Sequence, residues 1–277
     1  MRILTCAILL AVLGEMNTVR ANQRPCTVPA PCRTETGSYL LAFPESWNGK
    51  DALPVVVFFH GHASSSKAVM RNTGLVNKFT RRGYLLIAPN GSARAGRPQR
   101  GWPAHRRAAG RRDDIAFMRD VLVDVTGRVP VNRDRILVTG FSSGGSMAWF
   151  LACFSKDRFA AYAPVSGALR RPIPDEKCPE GPFDLLHIHG FADAQVPLEG
   201  RGIREWNQGD VFEGLSVLRE TNGCRSHPVR FSGKPEFQCR EWSGCSSGKA
   251  ISFCLHPRGH TMPKGWATAI LDWFEGV

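Results

Sequence analysis

Apolar residues along the chain fall into short uninterrupted runs, separated by longer segments with helical spacing. Pro54-Val-Val-Val-Phe-Phe-His60 is a continuous β-branched and aromatic run, the pattern of a strand buried on both faces. Tyr84–Ala88 and Arg135–Thr139 also read as buried strands, and Ser38–Phe43, Tyr162–Ser166, Phe183–His189 and Ala250–Leu255 as strands. Between them, Lys67–Arg82 turns Val69, Val76 and Phe79 inward, and Asp113–Val125 gathers Ile115, Met118, Val121, Leu122 and Val125 on one face behind an N-cap at Asp113. Helices are also predicted over Ser146–Phe154, Gly209–Asn222 (Val211, Leu215 and Leu218 apolar) and Gly265–Phe274. Strands alternating with helices predict an α/β fold, a mostly parallel sheet covered by helices on both faces. Residues 22–37, 44–53 (turning at Asn48-Gly49), 167–182 and the Cys/Gly/Ser-rich 223–248 are expected to be irregular, the last one stapled by disulfides.

Composition adds a compartment. The 277 residues are 43% hydrophobic and 22% charged, enough for one large domain over 22–277. Arg2, the apolar Ile3–Leu13 and Val19-Arg20-Ala21 read as a secretory signal peptide over 1–21, too short in its apolar run to be a membrane span. The expectation is an exported protein, extracellular or periplasmic, with no membrane partner. Of nine cysteines, Cys6 lies in that leader; the other eight suit up to four disulfides. Local pairing suggests Cys26 with Cys32, Cys153 with Cys178, and two bonds among Cys224, Cys239, Cys245 and Cys254. Zinc is the rival, but paired C-x-x-C spacing is missing. Asn90-Gly91-Ser92 is a glycosylation sequon, read as unmodified because it ends a strand near the proposed site.

The formal net charge of +12 is uneven, with seven arginines between Arg94 and Arg112. A solvated loop is the first reading of this segment, and a loop that shapes or charges a substrate cleft is the second. Trp102 alone is interleaved as an aromatic and no nucleic-acid motif accompanies the run, so no nucleic-acid partner is expected.

Chemistry concentrates at Gly140-Phe141-Ser142-Ser143-Gly144-Gly145, between the strand ending at Thr139 and the helix beginning near Ser146. Strand, Gly-x-Ser-x-Gly, helix is the nucleophile-elbow pattern of the α/β-hydrolase fold. The turn is so tight that positions two before and two after the serine must be small, which selects Ser142 over Ser143. A serine hydroxyl needs a histidine base and a carboxylate to orient it, in the chain order Ser, Asp or Glu, His. Asp193 follows the strand ending at His189 and is preferred to Asp184, Glu199, Glu205 and Asp210. His260 lies between the last strand and the last helix and is preferred to His256 and His227. The backbone N–H groups of Ser143 and His62 are the expected oxyanion donors. His60 and His62 have i, i+2 spacing for a metal but no third ligand nearby, so neither metal nor cofactor is expected.

His60-Gly61, Gly140–Ala148, Asp157–Ala161, Ala163–Gly167, His187–Asp193, Val196–Gly200 and Gly259–Pro263 resemble, in order, the polyhydroxybutyrate depolymerase and feruloyl esterase family of secreted α/β-hydrolases. The resemblance covers roughly residues 38 to 274. It implies Ser142, Asp193 and His260 as the triad and an ester substrate carried on a polymer. Met262 stands where the family often has Trp; Trp102, Met262 and Trp266 are expected substrate contacts. Feruloyl or acetyl esters of plant polysaccharide come first, polyhydroxyalkanoate second and small lipid esters third. A serine peptidase and a non-catalytic hydrolase-fold binder are the alternatives of other classes.

Overall fold

Both faces of the central strands are apolar, and the fold follows from covering both. The computed structural model describes residues 24–276, apart from 95, 106–110, 158, 204–205 and 235; the leader at 1–21 lies outside the described residues. In chain order the elements are β1 (Cys32–Arg33), β2 (Ser38–Ala42), β3 (Leu53–Phe59), α1 (Ser66–Arg71), α2 (Thr73–Thr80), β4 (Leu85–Pro89), β5 (Ser92–Arg94), β6 (Arg97–Gly101), α3 (Asp114–Arg128), β7 (Val131–Phe141) and α4 (Ser143–Phe154). They continue as β8 (Ala161–Val165), β9 (Leu185–Gly190), β10 (Arg201–Ile203), β11 (Trp206–Gln208), α5 (Val211–Asn222), β12 (Arg230–Lys234), β13 (Phe237–Trp242), β14 (Ile251–His256) and α6 (Trp266–Glu275).

The main sheet runs β1-β2-β4-β3-β7-β8-β9-β14-β13-β12. The block from β4 to β14 is parallel, and the strands beyond it at each edge are antiparallel. Val55, Val57 and Phe59 of β3 pack into a core layer with Phe117, Met118, Trp149 and Leu218, on the side of α3, α4 and α5. Val56 and Phe58 pack oppositely, with Leu75, Phe79, Ile270 and Phe274 of α2 and α6. This is the doubly covered, mostly parallel sheet that the alternation predicts. Asp113 caps α3 as expected, accepting from the N–H groups of Ile115 and Ala116.

Four expectations change. The helix over 67–82 is two helices: the Asn72 N–H closes α1 on Ala68 and Val69 O, and its side chain caps α2 through Leu75 N, a polar side chain competing with the helix ladder. Residues 22–37 include the short β1. Segment 223–248 contains β12 and β13, which extend the sheet, with β12 at its edge; β13 buries only its two ends, Phe237 and Trp242, and leaves polar positions open between them. The arginine-rich segment holds a hairpin, β5 against β6. Its Arg112 is bound inward, with Nε 2.7 Å from Asp114 Oδ1 and its guanidinium 3.7 Å from the Phe117 ring; Arg106 and Arg107 lie outside the described residues. The eight cysteines pair as Cys26–Cys32, Cys153–Cys178, Cys224–Cys245 and Cys239–Cys254.

Trp266 does not contact substrate space. It opens α6 at 3% exposure and packs on Phe58 and Phe79 at ring distances of 6.1 and 5.9 Å. Its helical phase with Ile270 and Phe274 turns it into the core. Trp266→Ala is therefore expected to lower the unfolding free energy by about 3–5 kcal/mol in a urea titration; a loss under about 1 kcal/mol would contradict this placement.

Candidate active site

Ser142 sits where β7 gives way to α4, at φ 59 and ψ -122, a conformation that a residue with a Cβ adopts only when its surroundings force it. The surroundings do force it. A Cβ on Gly144 would stand 2.0 Å from Phe59 O, and one on Gly140 would stand 2.6 Å from Gly144 O and 2.7 Å from Phe59 O. β3, β7 and α4 thus meet with no room for side chains at the two flanking positions. Ser142 N donates to Val165 O at 3.0 Å, which fixes the turn to β8. Ser143 begins α4, so its N–H is one of the helix's first, unpaired donors.

Asp193 and His260 come from neighbouring parallel strands. β9 pairs with β14 so that Gly190 lies opposite His256. Beyond the ladder, Phe191 N donates to His256 O and Ala192 N to Arg258 O. Gly190 is needed there, because a Cβ would stand 2.3 Å from Gly259 O. The acid and histidine loops are thereby laced together. His260 Nδ1–H donates to Asp193 Oδ2 at 2.7 Å, while Asp193 Oδ1 accepts from Gln195 N and Val196 N at 2.9 and 2.8 Å. With Nδ1 committed as donor, Nε2 of a neutral His260 is an acceptor. The His260 ring packs on Phe141 at 4.7 Å, which places it beside the elbow. Among the alternatives, Asp184 holds Lys249 Nζ and Ala250 N at 2.8 Å each, Asp210 caps α5, His227 is exposed and His256 is buried at 2% exposure. Glu205 lies outside the described residues.

Behind the acid runs a buried chain that sequence reading passed over. Trp149 Nε1–H can only donate, and it meets His187 Nδ1 at 3.1 Å. His187 Nε2–H therefore donates to His189 Nδ1 at 2.8 Å, and His189 Nε2–H donates to Val196 O at 2.8 Å, lying 3.5 Å from Asp193 Oδ2. Both imidazoles are neutral in this arrangement, and burial pushes both pKa values down. The signal was His-x-His on one face of a strand. His60 is likewise a strut, with Nδ1–H on Gly61 O at 2.7 Å and Nε2 accepting from Gly91 N at 2.9 Å; both ring nitrogens are in use. Asn90 Oδ1, in the sequon, accepts from Ser66 N at 3.2 Å.

Ser142, Ser143 and His62 open onto a cleft of about 930 Å³, within the usual range for a small-molecule site. Gly61 brings the loop after β3 against Ser142: a Cβ there would lie 3.7 Å from Ser142 Cβ. Two hairpins outside the main sheet wall the cleft, β5–β6 through Pro98 and Gln99 and β10–β11 through Ile203 and Asn207. Trp102 lines the cleft yet is 2% exposed, its Nε1–H on His60 O at 2.8 Å and its ring edge-on to Phe59, so it floors the cleft. Met262 packs instead on the α6 side of the core; it is absent from the residues lining the cleft.

The buried histidines set a pH response. Burial lowers the His60 pKa from 6.5 to about 4, so folding favours the neutral ring. That stability is complete above pH 6.5 and is lost as pH falls toward 4, and His187 and His189 act in the same direction. The melting temperature should fall across this window, and fall less in His60→Gln. A melting temperature independent of pH from 7 to 4 would contradict it.

Three likenesses bear on this geometry. The chain is 34% identical over 234 residues to a Nocardia uniformis subsp. tsuyamanensis protein named "Putative esterase NocK", covering 76% of this chain and 66% of that one. It is 26% identical over 238 residues to feruloyl esterase B of Piromyces equi, covering 82% of this chain and 43% of that one. The chain thus spans less than two thirds of either relative. The acetyl xylan esterase of Aspergillus awamori superposes with a TM-score of 0.66 over 87% of this chain and 94% of that one, at 14% identity, a likeness of fold. The dienelactone hydrolase family model matches residues 40–205, more than half of the chain, including Ser142 and Asp193 and ending before His260; the chain belongs to the dienelactone hydrolase family.

Proposed function

We propose that the protein is an exported serine carboxylic-ester hydrolase acting on feruloyl or acetyl esters of plant polysaccharide. The observation that carries the chemistry is the strained Ser142 at the elbow beside a His260 whose Nδ1–H is held by Asp193 at 2.7 Å. Ser142 Oγ attacks the ester carbonyl while His260 Nε2 takes its proton. Asp193 keeps the imidazole in the Nδ1–H tautomer and stabilises the imidazolium that forms. The carbonyl oxygen becomes an oxyanion that accepts from the N–H groups of Ser143 and His62, the first of them also at the positive end of α4. His260 then protonates the leaving alcohol, and the acyl-enzyme is hydrolysed by water along the same route. The His187–His189 chain would hold Asp193 and Val196 in place.

The relatives' names support the ester class, and feruloyl esterase B supports the hydroxycinnamoyl arm. Hydroxybutyrate oligomers are the alternative substrate. Four disulfides suit an oxidising compartment outside the cytosol. Among the described residues no helix is long and apolar enough to cross a membrane.

Methyl ferulate, p-nitrophenyl acetate and soluble hydroxybutyrate oligomers, offered to wild type and Ser142→Ala side by side, test this reading. Wild type is expected to cleave at least one ester, and Ser142→Ala to lose about three orders of magnitude or more in kcat. Equal rates in the two proteins would remove Ser142 from the role of nucleophile, and cleavage of the oligomers alone would move the substrate class to the depolymerase reading.

A further inference from the structure

Trp149 lies about two turns into α4, the helix that follows Ser142, and its indole reaches β9 behind the site. There His187 is held between the Trp149 ring at 5.5 Å and the Phe253 ring at 5.7 Å, and like His189 it has no exposed surface. Neither imidazole lines the cleft. Burying a polar ring costs free energy unless its nitrogens are hydrogen-bonded, and an apolar side chain would fill the same space between two aromatic rings. An apolar side chain could not present a proton to His189.

Both ends of this chain run one way. The Trp149 indole only donates and the Val196 carbonyl only accepts, so each imidazole between them has one place for its single proton. His187 Nε2–H thereby covers His189 Nδ1, the one lone pair through which His189 could take up a second proton. His189 Nε2 lies 3.5 Å from Asp193 Oδ2, the oxygen that also accepts from His260 Nδ1–H at 2.7 Å. Burial opposes a charge on His189 most strongly, and His260 opposes it too; Val196 O and Asp193 favour it. From β14, His256 faces the same ring and the same carboxylate, and Arg258 acts on His256 in turn. Trp149 and Phe253, packed on His187, carry no charge. An imidazolium at position 189 would pair with Asp193 and compete with His260 for its carboxylate.

We propose that His187 is a positioning residue: by holding its proton on His189 it keeps that ring neutral, so that the Asp193 carboxylate serves His260 alone and Ser142 stays activated in mildly acidic solution. The inference rests on the Ser142, Asp193 and His260 reading and adds to it a residue that touches neither substrate nor reacting atoms. His187 acts through His189, and His189 through Asp193. The same chain joins the nucleophile's helix to the acid's loop, since Trp149 belongs to α4 and Val196 follows Asp193 in the loop after β9.

Three variants and one spectrum test it. His187→Phe keeps an aromatic ring between Trp149 and Phe253 but leaves His189 Nδ1 without a donor. His187→Gln supplies an acceptor for Trp149 and a donor for His189, and the double variant His187→Phe/His189→Gln removes the group that would become charged. The readout is the pH profile of Ser142 acylation, followed as kcat/KM on p-nitrophenyl acetate and as the rate of fluorophosphonate labelling. At pH 8 His187→Phe is expected to remain close to wild type. Its acid limb should move up by about one pH unit, the size of shift that an opposite charge within about 4–6 Å produces, leaving it about tenfold slower than wild type near pH 6. His187→Gln should follow the wild-type profile, and the double variant should return to it. A uniform loss at every pH with the limb unmoved is the mark of packing alone and overturns the proposal, as does a double variant no better than His187→Phe; either result leaves the triad reading standing. A wild-type Ser142 that neither turns over nor labels would remove the triad reading, and the inference with it. Nitrogen-15 NMR of the wild-type imidazoles decides independently of turnover and of whether a variant folds. The expected result is a neutral His189 with its proton on Nε2 and no titration between about pH 8 and 5, the window in which an ordinary histidine changes charge. A His189 that carries its proton on Nδ1, or that titrates in this window, overturns the proposal.

Discussion

Where β7 turns into α4, three pieces of backbone come closer than any side chain permits. Phe59 O of β3 occupies the space that a Cβ at Gly144 would need, and Gly140 is closed off from both sides. This contact lets the helix start directly above the sheet, and it holds Ser142 at a positive φ. Everything else about the site is arranged around that fixed point. The loop after β3 is carried to the serine because β3 is the neighbour of β7, and the first N–H groups of α4 emerge there because the turn is so short. Strain at one residue is thus sustained by the packing of three elements.

The other half of the site is held by a different device. β9 and β14 lie side by side, and hydrogen bonds from Phe191 and Ala192 bind the loops that follow them. The Asp193 carboxylate spends one oxygen on two backbone N–H groups and the other on His260. Behind it, Trp149, His187 and His189 form a chain in which each proton has one place to go. A chain of this kind is neutral throughout, so it fixes the acid's loop without placing a second charge beside it. The cleft in front has the opposite character, walled by two hairpins and lined by arginines.

The strands from β3 to β14 that are buried on both faces were legible because apolar residues dominate their runs, with few polar positions such as Thr139, His187, His189 and Ser252 among them, and the elbow was legible because its glycines are sterically compelled. Asp193 and His260 could be placed because each follows such a strand. The edges were harder. Phe237–Trp242 buries only Phe237 and Trp242, one in each core layer, and Arg230-Phe231-Ser232-Gly233 is exposed, so their polar positions hide the strand period. Asn72 splits a helix through side-chain hydrogen bonds that apolar spacing does not register. Trp266 was misplaced because a tryptophan near a catalytic histidine invites a substrate role, whereas its spacing to Ile270 and Phe274 already marked the core face.

The central claim is that Ser142, activated by His260, is the nucleophile. Reaction with a fluorophosphonate followed by peptide mapping in a mass spectrometer tests it without knowledge of the natural ester. The account predicts a single adduct on Ser142, none on the adjacent Ser143, and labelling slowed about a hundredfold or more in His260→Ala. An adduct on Ser143 or elsewhere, or labelling of Ser142 at an undiminished rate in His260→Ala, would contradict it.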